Sequence, residues 1–322
     1  MSVQTVTNYR FTPAELNPAA RLPGISAFLR TRNGGDFLAA TIKSHIAHYD
    51  EIVAVYNQCE DDTAEILASM AQDNPNRLRV YHYTDKVAPL GSRAHAETPG
   101  DHPESMVNYS NFALAMTRHR VVVKLDDDHL AIPDAVAEIC RDWREGRADP
   151  RHLHCFSGLN LARGGNGELA VPAFDPVSGG GDIGYFEVSE KTRFFHDRRF
   201  ERFDRGDLKR VFAGFFYWHL KYLKTGAGFG NYRLQDHPES RFIRKKRAFQ
   251  TSDFLDLAAA RDRLKPGMAI RLAACFNAKA RLTCARDQAV AATFPDHDLA
   301  AALDRLSPGW RRVPGLLERQ TS

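Results

Sequence analysis

Long apolar runs are missing from this 322-residue chain, and so is a strong charge of either sign. No stretch approaches the roughly 20 residues that a membrane-spanning helix requires. The opening, MSVQTVTNYRFTPAELNPAARLPG, lacks the basic, apolar, small-residue order of a signal peptide, so a cytoplasmic protein is expected. Cysteine is scarce: Cys59, Cys140, Cys155, Cys275 and Cys284 are odd in number, widely spaced and without a CxxC pair. Neither a disulfide framework nor a zinc knuckle is suggested, and the five read as reduced thiols, mostly buried in packing. Forty-four Lys and Arg against forty Asp and Glu leave a net +4, too weak a bias to imply nucleic acid as a partner. What is present in quantity is core material, 43% hydrophobic and 10% aromatic residues, which excludes disorder as the main state.

From Gly24 onward, short apolar runs alternate with amphipathic segments: ISAFL, DFLAATIKSHIAHY, EIVAVY, DTAEILASMAQD, LRVYHY. The runs are nearly continuous, as in parallel strands covered on both faces, and the intervening segments are long enough to be crossover helices. An α/β fold with a doubly wound, mainly parallel, Rossmann-like sheet follows. Residues 84–107 read as a long excursion loop, after which NYSNFALAMTRHR predicts a helix, VVVKL a fourth strand and PDAVAEICRDWREG another helix. Beyond His152 the texture changes to a strand (HCFSGLNLA), a glycine-rich loop, an aromatic run VFAGFFYWHLKYLK expected as a buried helix, and a helical C-terminal extension.

The sharpest chemical signal is VVVKLDDDHL, in which an apolar strand ends in Asp126, Asp127 and Asp128. Adjacent carboxylates repel, and in an open α/β sheet ligands bind beyond the carboxyl ends of the strands. A hard divalent cation, Mg2+ or Mn2+ rather than zinc, relieves the repulsion and neutralises charge on a departing phosphate. An acidic turn capping the next helix is the plainer alternative.

Together, FLRTRNGGDFLAATIKSHIAHYDEIVAVYNQCEDDTAEIL and NYSNFALAMTRHRVVVKLDDDHLAIPDAV resemble glycosyltransferase family 2, the GT-A fold of nucleotide-sugar-dependent transferases, over about the first 145 residues. The resemblance implies that residues 1–150 bind the nucleotide-sugar, 151–250 bind the acceptor and 251–322 form the helical extension. It places Arg30, Thr31 and Arg32 at the first turn, Asn57 at the base-reading position and Asn111 before the acidic strand. Asp126 and Asp128 fall at the two carboxylates of the DxD motif, around Asp127, with Mn2+ or Mg2+ as cofactor. The implied donor is a nucleotide-diphosphate sugar, and the implied acceptor a glycan or lipid-linked glycan of the kind used in bacterial surface polysaccharide synthesis. The chain departs from the pattern twice. Tyr56 and Asn57 stand where the family commonly has an acidic pair, and no ED pair supplies a general base in the acceptor half.

Inverting transfer needs a base for the acceptor hydroxyl. Asp182, after three glycines in SGGGDIGYF, is the first candidate and His219 in YWHLK the second; Asp207 lies among alternating charges that suggest an exposed helical face. His129, directly after the acidic run, is near enough to approach a metal or diphosphate, although a strand-end turn explains it equally well. The run RFIRKKR, Arg241 to Arg247, offers five cations for peripheral contact with an anionic membrane at its inner face, or simply a solvated basic face. A non-catalytic scaffold that binds nucleotide sugar or glycan stays open. A sugar nucleotidyltransferase fits less well, since FLRTRNGGDFL is a poor glycine-rich phosphate loop. A haloacid dehalogenase-like phosphatase places its aspartate after the first strand, not the fourth.

Overall fold

A computed structural model describes residues 3–181, 184–197, 200–232 and 241–317. After β1 (Gln4–Val6), the chain alternates β2 (Leu22–Thr31), α1 (Leu38–His45), β3 (Glu51–Tyr56), α2 (Thr63–Asp73) and β4 (Leu78–Tyr83). The excursion carries one short helix, α3 (Arg93–Glu97), before α4 (Met106–Ala115), β5 (His119–Leu125), β6 (His129–Ala131) and α5 (Pro133–Arg144). The second half is mostly strand: β7 (His152–Asn160), β8 (Ala162–Arg163), β9 (Leu169–Pro172), β10 (Val177–Ser178), β11 (Gly184–Glu187), β12 (Thr192–Asp197), β13 (Phe200–Arg205) and β14 (Lys209–His219). It closes with α6 (Arg241–Thr251), β15 (Phe254–Leu255), α7 (Leu257–Arg263), α8 (Met268–Phe276), α9 (Ala278–Thr293) and α10 (Leu299–Leu306).

The main sheet runs β1-β4-β3-β2-β5-β11-β7-β14-β6, with β10 on β7. Strands β2 to β5 pair in parallel, as do β7 and β14, whereas β11 is antiparallel to both β5 and β7 and joins the two blocks. The expected mainly parallel α/β sheet is therefore present. Leu38, Ile42, Leu67, Met70, Val136 and Ile139 from α1, α2 and α5 cover one face, while Tyr109 and Phe112 of α4 pack on the other. The C-terminal helices close over β14, with Phe294 5.2 Å from both Phe215 and Trp218, and the Trp218 indole N–H donating to Ser307 Oγ at 3.0 Å.

Two segments differ from expectation. VFAGFFYWH is strand β14, not a helix: Phe215, Phe216, Tyr217 and Trp218 are all buried, so the run shows neither a helical nor an alternating period, and its aromatic content favours the strand. The charges around Asp207 belong to the β12–β13 hairpin and the turn after it, where alternation has a period of two; Asp207 is exposed and pairs with Lys191 at 2.7 Å.

Glu51, buried at the start of β3, stitches the central strands. It accepts from Ser26 Oγ of β2 at 2.7 Å and from the Arg118 N–H before β5 at 2.6 Å, and it pairs with Arg79 of β4 at 3.1 Å. Burial pushes its carboxyl up, but His119, Ser26, Arg118 and Arg79 outweigh that and bring it down to about 2. A depressed folded value means the contribution to stability is whole above the ordinary carboxylate range and is lost as pH falls through it toward 2. Glu51→Gln is expected to cost about 2 kcal/mol at pH 7 and to lack that share of the acid loss. Urea unfolding at stepped pH checks this, and superposable curves for the two proteins would contradict it.

Candidate functional site

The ends of β2, β3, β5 and β14 open on one cavity of about 1200 Å³. Its walls carry ten Lys and Arg side chains against six carboxylates, a basic excess suited to a ligand with several negative charges. Asp126, Asp127 and Asp128 lie at its floor, where β5 ends, so the triple carboxylate is at the sheet's ligand-binding edge rather than capping a helix.

Each carboxylate is handled differently. Asp127 is spent on the protein: Oδ2 accepts from Thr31 Oγ1 at 2.5 Å and Oδ1 pairs with Lys224 at 2.8 Å. A side chain at Gly34 would strike both Thr31 Oγ1 and Asp127 Oδ2, so the first turn needs glycine there. Asp126 is 43% exposed to the cavity and pairs with Lys124. Burial opposes its ionisation, but Lys124 and His129 prevail and hold it well below the usual carboxylate range. Asp128 is buried, and although burial alone would raise its carboxyl, His219 and Lys224 push it far down.

Asp128 and His219 face one another in an unusual way. His219 Nε2 lies 3.2 Å from Asp128 Oδ1, yet that oxygen makes no hydrogen bond. The other ring nitrogen, Nδ1, is 2.5 Å from Asn160 Oδ1, and Asn160 Nδ2 donates to the Asp175 carbonyl at 2.6 Å, which fixes the amide's orientation. Asn160 Oδ1 must therefore accept, and Nδ1 must carry the proton. Nε2 then faces the carboxylate in one of two ways: as the second N–H of an imidazolium, in an ion pair with Asp128, or as a lone pair beside the carboxylate, where a metal cation would complete the arrangement. Asp128, His129 and His219 form a group whose ligand atoms lie within 4.8 Å of one another. His129 is stacked on Tyr217 at 3.7 Å with neither ring nitrogen hydrogen-bonded; burial brings it down to about 3, so it is neutral at physiological pH.

The other expected residues fall at three kinds of place. Arg30, Thr31, Arg32 and Asn57 line the cavity. Arg30 is braced by Glu201 of β13 at 2.7 Å and Ser110 of α4 at 2.5 Å. Asn57 places both amide hydrogens on backbone carbonyls, those of Tyr83 at 2.6 Å and Asp85 at 2.7 Å, which leaves its own carbonyl oxygen for a ligand. Asn111 is not at the cavity: it donates to the Phe194 carbonyl at 3.0 Å and accepts from the Phe194 N–H at 2.7 Å, so it pins the β12–β13 hairpin to α4. Asp182 lies outside the described residues, beside Gly179, Gly180 and Gly181, which line the cavity. Lys224, Lys221 and Asn160 were not anticipated. All three follow or flank the end of a parallel strand, a position that becomes visible once β14 is read as a strand.

No family model and no curated protein matches the chain. Solved structures that resemble it include a mannosyltransferase from Pyrobaculum calidifontis in complex with GDP-Man and Mn2+, at 20% identity and a TM-score of 0.29, covering 46% of this chain and 37% of that one. A glucosyl-3-phosphoglycerate synthase from Mycobacterium tuberculosis in complex with Mn2+, UDP and glucosyl-3-phosphoglycerate follows at 21% identity, TM-score 0.27, covering 51% and 53%. A mycobacterial protein shares 23% identity at TM-score 0.26, covering 47% and 45%. The chain thus spans about half or less of the length of these structures, and a likeness of this size carries no argument about activity.

Lys224 is the counter-cation of two buried carboxylates, 2.8 Å from Asp127 and 3.9 Å from Asp128. Removing one partner of a buried pair strands the other. Lys224→Met is expected to lower stability by about 3 kcal/mol at neutral pH, read by urea unfolding; a loss below about 1 kcal/mol, the scale of an exposed pair, would show that solvent already screens the site.

Proposed function

We propose that the protein is a metal-dependent glycosyltransferase of the GT-A type, moving a sugar from a nucleotide-diphosphate donor to a glycan or lipid-linked glycan acceptor in surface polysaccharide synthesis. One observation carries this reading: the buried Asp128 oxygen that makes no hydrogen bond, 3.2 Å from His219 Nε2, at the floor of a basic cavity at the sheet's ligand edge. The donor set fits Mn2+ or Mg2+, with Asp128 and His219 as holding residues and Asp126 beside them. When bound, such an ion supplies charge to stabilise the departing diphosphate. His219 is thereby assigned to the ion rather than to the acceptor, and Asn160 acts by fixing its tautomer.

The chain's own residues do the rest. Thr31 and Lys224 hold Asp127 so that the first turn and the segment after β14 close on the acidic floor. The free carbonyl oxygen of Asn57 accepts from a base N–H. Arg30 and Arg32 give positive charge to the nucleotide side. Asp182 is assigned the acceptor's proton in an inverting transfer, since carboxylates that hold a cation are weak bases. In this reading residues 1–150 serve the donor, 151–250 the acceptor, and the helices of 251–322 back the acceptor half.

Incubation with UDP-, GDP-, CDP- and dTDP-sugars, with and without Mn2+, tests the reading through slow release of the nucleoside diphosphate. One donor is expected to turn over only with metal, Asp128→Asn to abolish turnover while remaining folded, and Asp182→Asn to lower transfer about a hundredfold with donor affinity unchanged. Metal-dependent donor binding without any turnover would favour a non-catalytic nucleotide-sugar scaffold, and full activity of Asp128→Asn in chelator would overturn the metal site.

A further inference from the structure

Helix α8 has no buried residue, although α7, α9 and α10 on either side of it all contribute to the core. Its apolar side chains nonetheless fall in a stripe: Met268, Leu272 and Phe276 recur every fourth position and are 78%, 62% and 92% exposed. A folded chain normally turns such a stripe inward, and three large exposed apolar groups on one helix mark a contact surface.

The surrounding charge says what covers it. From Arg263 to Arg286 the chain carries six cations and not one carboxylate. Arg271 and Arg281 direct their guanidinium groups to the carbonyls of Pro266 and Ala274 at the two ends of α8. Among the described residues, Arg263, Arg271, Lys279 and Arg281 have no ion-pair partner. Apolar side chains on a helix bordered by unpaired cations are the composition of a segment that lies in the interface of an anionic bilayer. A second copy of the chain is a poor occupant, because a two-fold contact would set these cations against themselves.

We propose that α8 docks the protein on an anionic membrane surface, inserting Met268, Leu272 and Phe276 among the headgroups while the flanking Arg and Lys contact lipid charge. The site described above adjoins this face. Lys279, three residues beyond Phe276, lines the large cavity, as does Lys245 of α6 within the basic run expected to contact membrane. Docking through α8 therefore brings a wall of the cavity to the bilayer, where an acceptor carried on a lipid would reach it; this consequence rests on the glycosyltransferase reading, whereas docking itself does not.

Flotation of the full chain with vesicles, without donor or metal, separates the two. Binding is expected to phosphatidylcholine vesicles containing phosphatidylglycerol, not to phosphatidylcholine alone, and to weaken as salt is raised. Leu272→Gln and Phe276→Gln, at positions that support no packing, are expected to weaken it about tenfold or more while leaving the melting temperature unchanged. Absence of vesicle binding, or equal binding by the two variants, would overturn the proposal. So would a wild-type dimer in sedimentation that Phe276→Gln dissociates, since the stripe would then belong to a second copy.

Discussion

Three adjacent carboxylates at the end of one strand repel each other, and most of the architecture around β5 is a response to that repulsion. At about 4 Å, two like charges cost on the order of 4 kcal/mol even at the screening typical of a protein surface. The chain spreads the compensation over distant segments. Lys124 within the strand answers Asp126, Thr31 and Lys224 answer Asp127, and Asp128 faces His219 with Lys224 3.9 Å away. Because Thr31 ends β2 and Lys224 follows β14, neutralising Asp127 also fixes the two sides of the cavity relative to its floor.

The second half of the chain is bound to the first by the same economy of polar contacts. Arg30, at the end of β2, meets Glu201 on the β12–β13 hairpin, and Asn111 of α4 holds that hairpin by both hydrogen bonds of Phe194. The hairpin contributes Phe194, Phe195, Arg202 and Arg205 to the cavity wall, so residues about 170 positions apart in sequence share one surface. His219 belongs to this joining too: it comes from the second half, yet its ring is set by Asn160 and points at a carboxylate of the first.

Much of the first half was legible because its central strands are largely buried and read as nearly uninterrupted apolar runs, one of which stops abruptly at three carboxylates. The second half was not, and β14 shows why. An aromatic strand covered on one side by α5 and on the other by α9 has no polar face, so periodicity cannot tell it from a buried helix. Misreading it hid Lys221 and Lys224, whose importance comes from standing at a parallel strand's carboxyl end. Asn111 stands before the acidic strand as expected, and what the sequence could not show is that both of its hydrogen-bonding groups serve the backbone of Phe194.

The account's central claim is that Asp128 and His219 are arranged around a cation. Pulsed electron paramagnetic resonance of the protein with Mn2+ addresses it at the atom. Directly bound imidazole nitrogen gives 14N modulation of the Mn2+ echo, which is expected in the wild type and absent in His219→Ala. An echo modulated only by water protons, identical in the two proteins, would contradict the claim and leave His219 as an ion-pair partner of Asp128 alone.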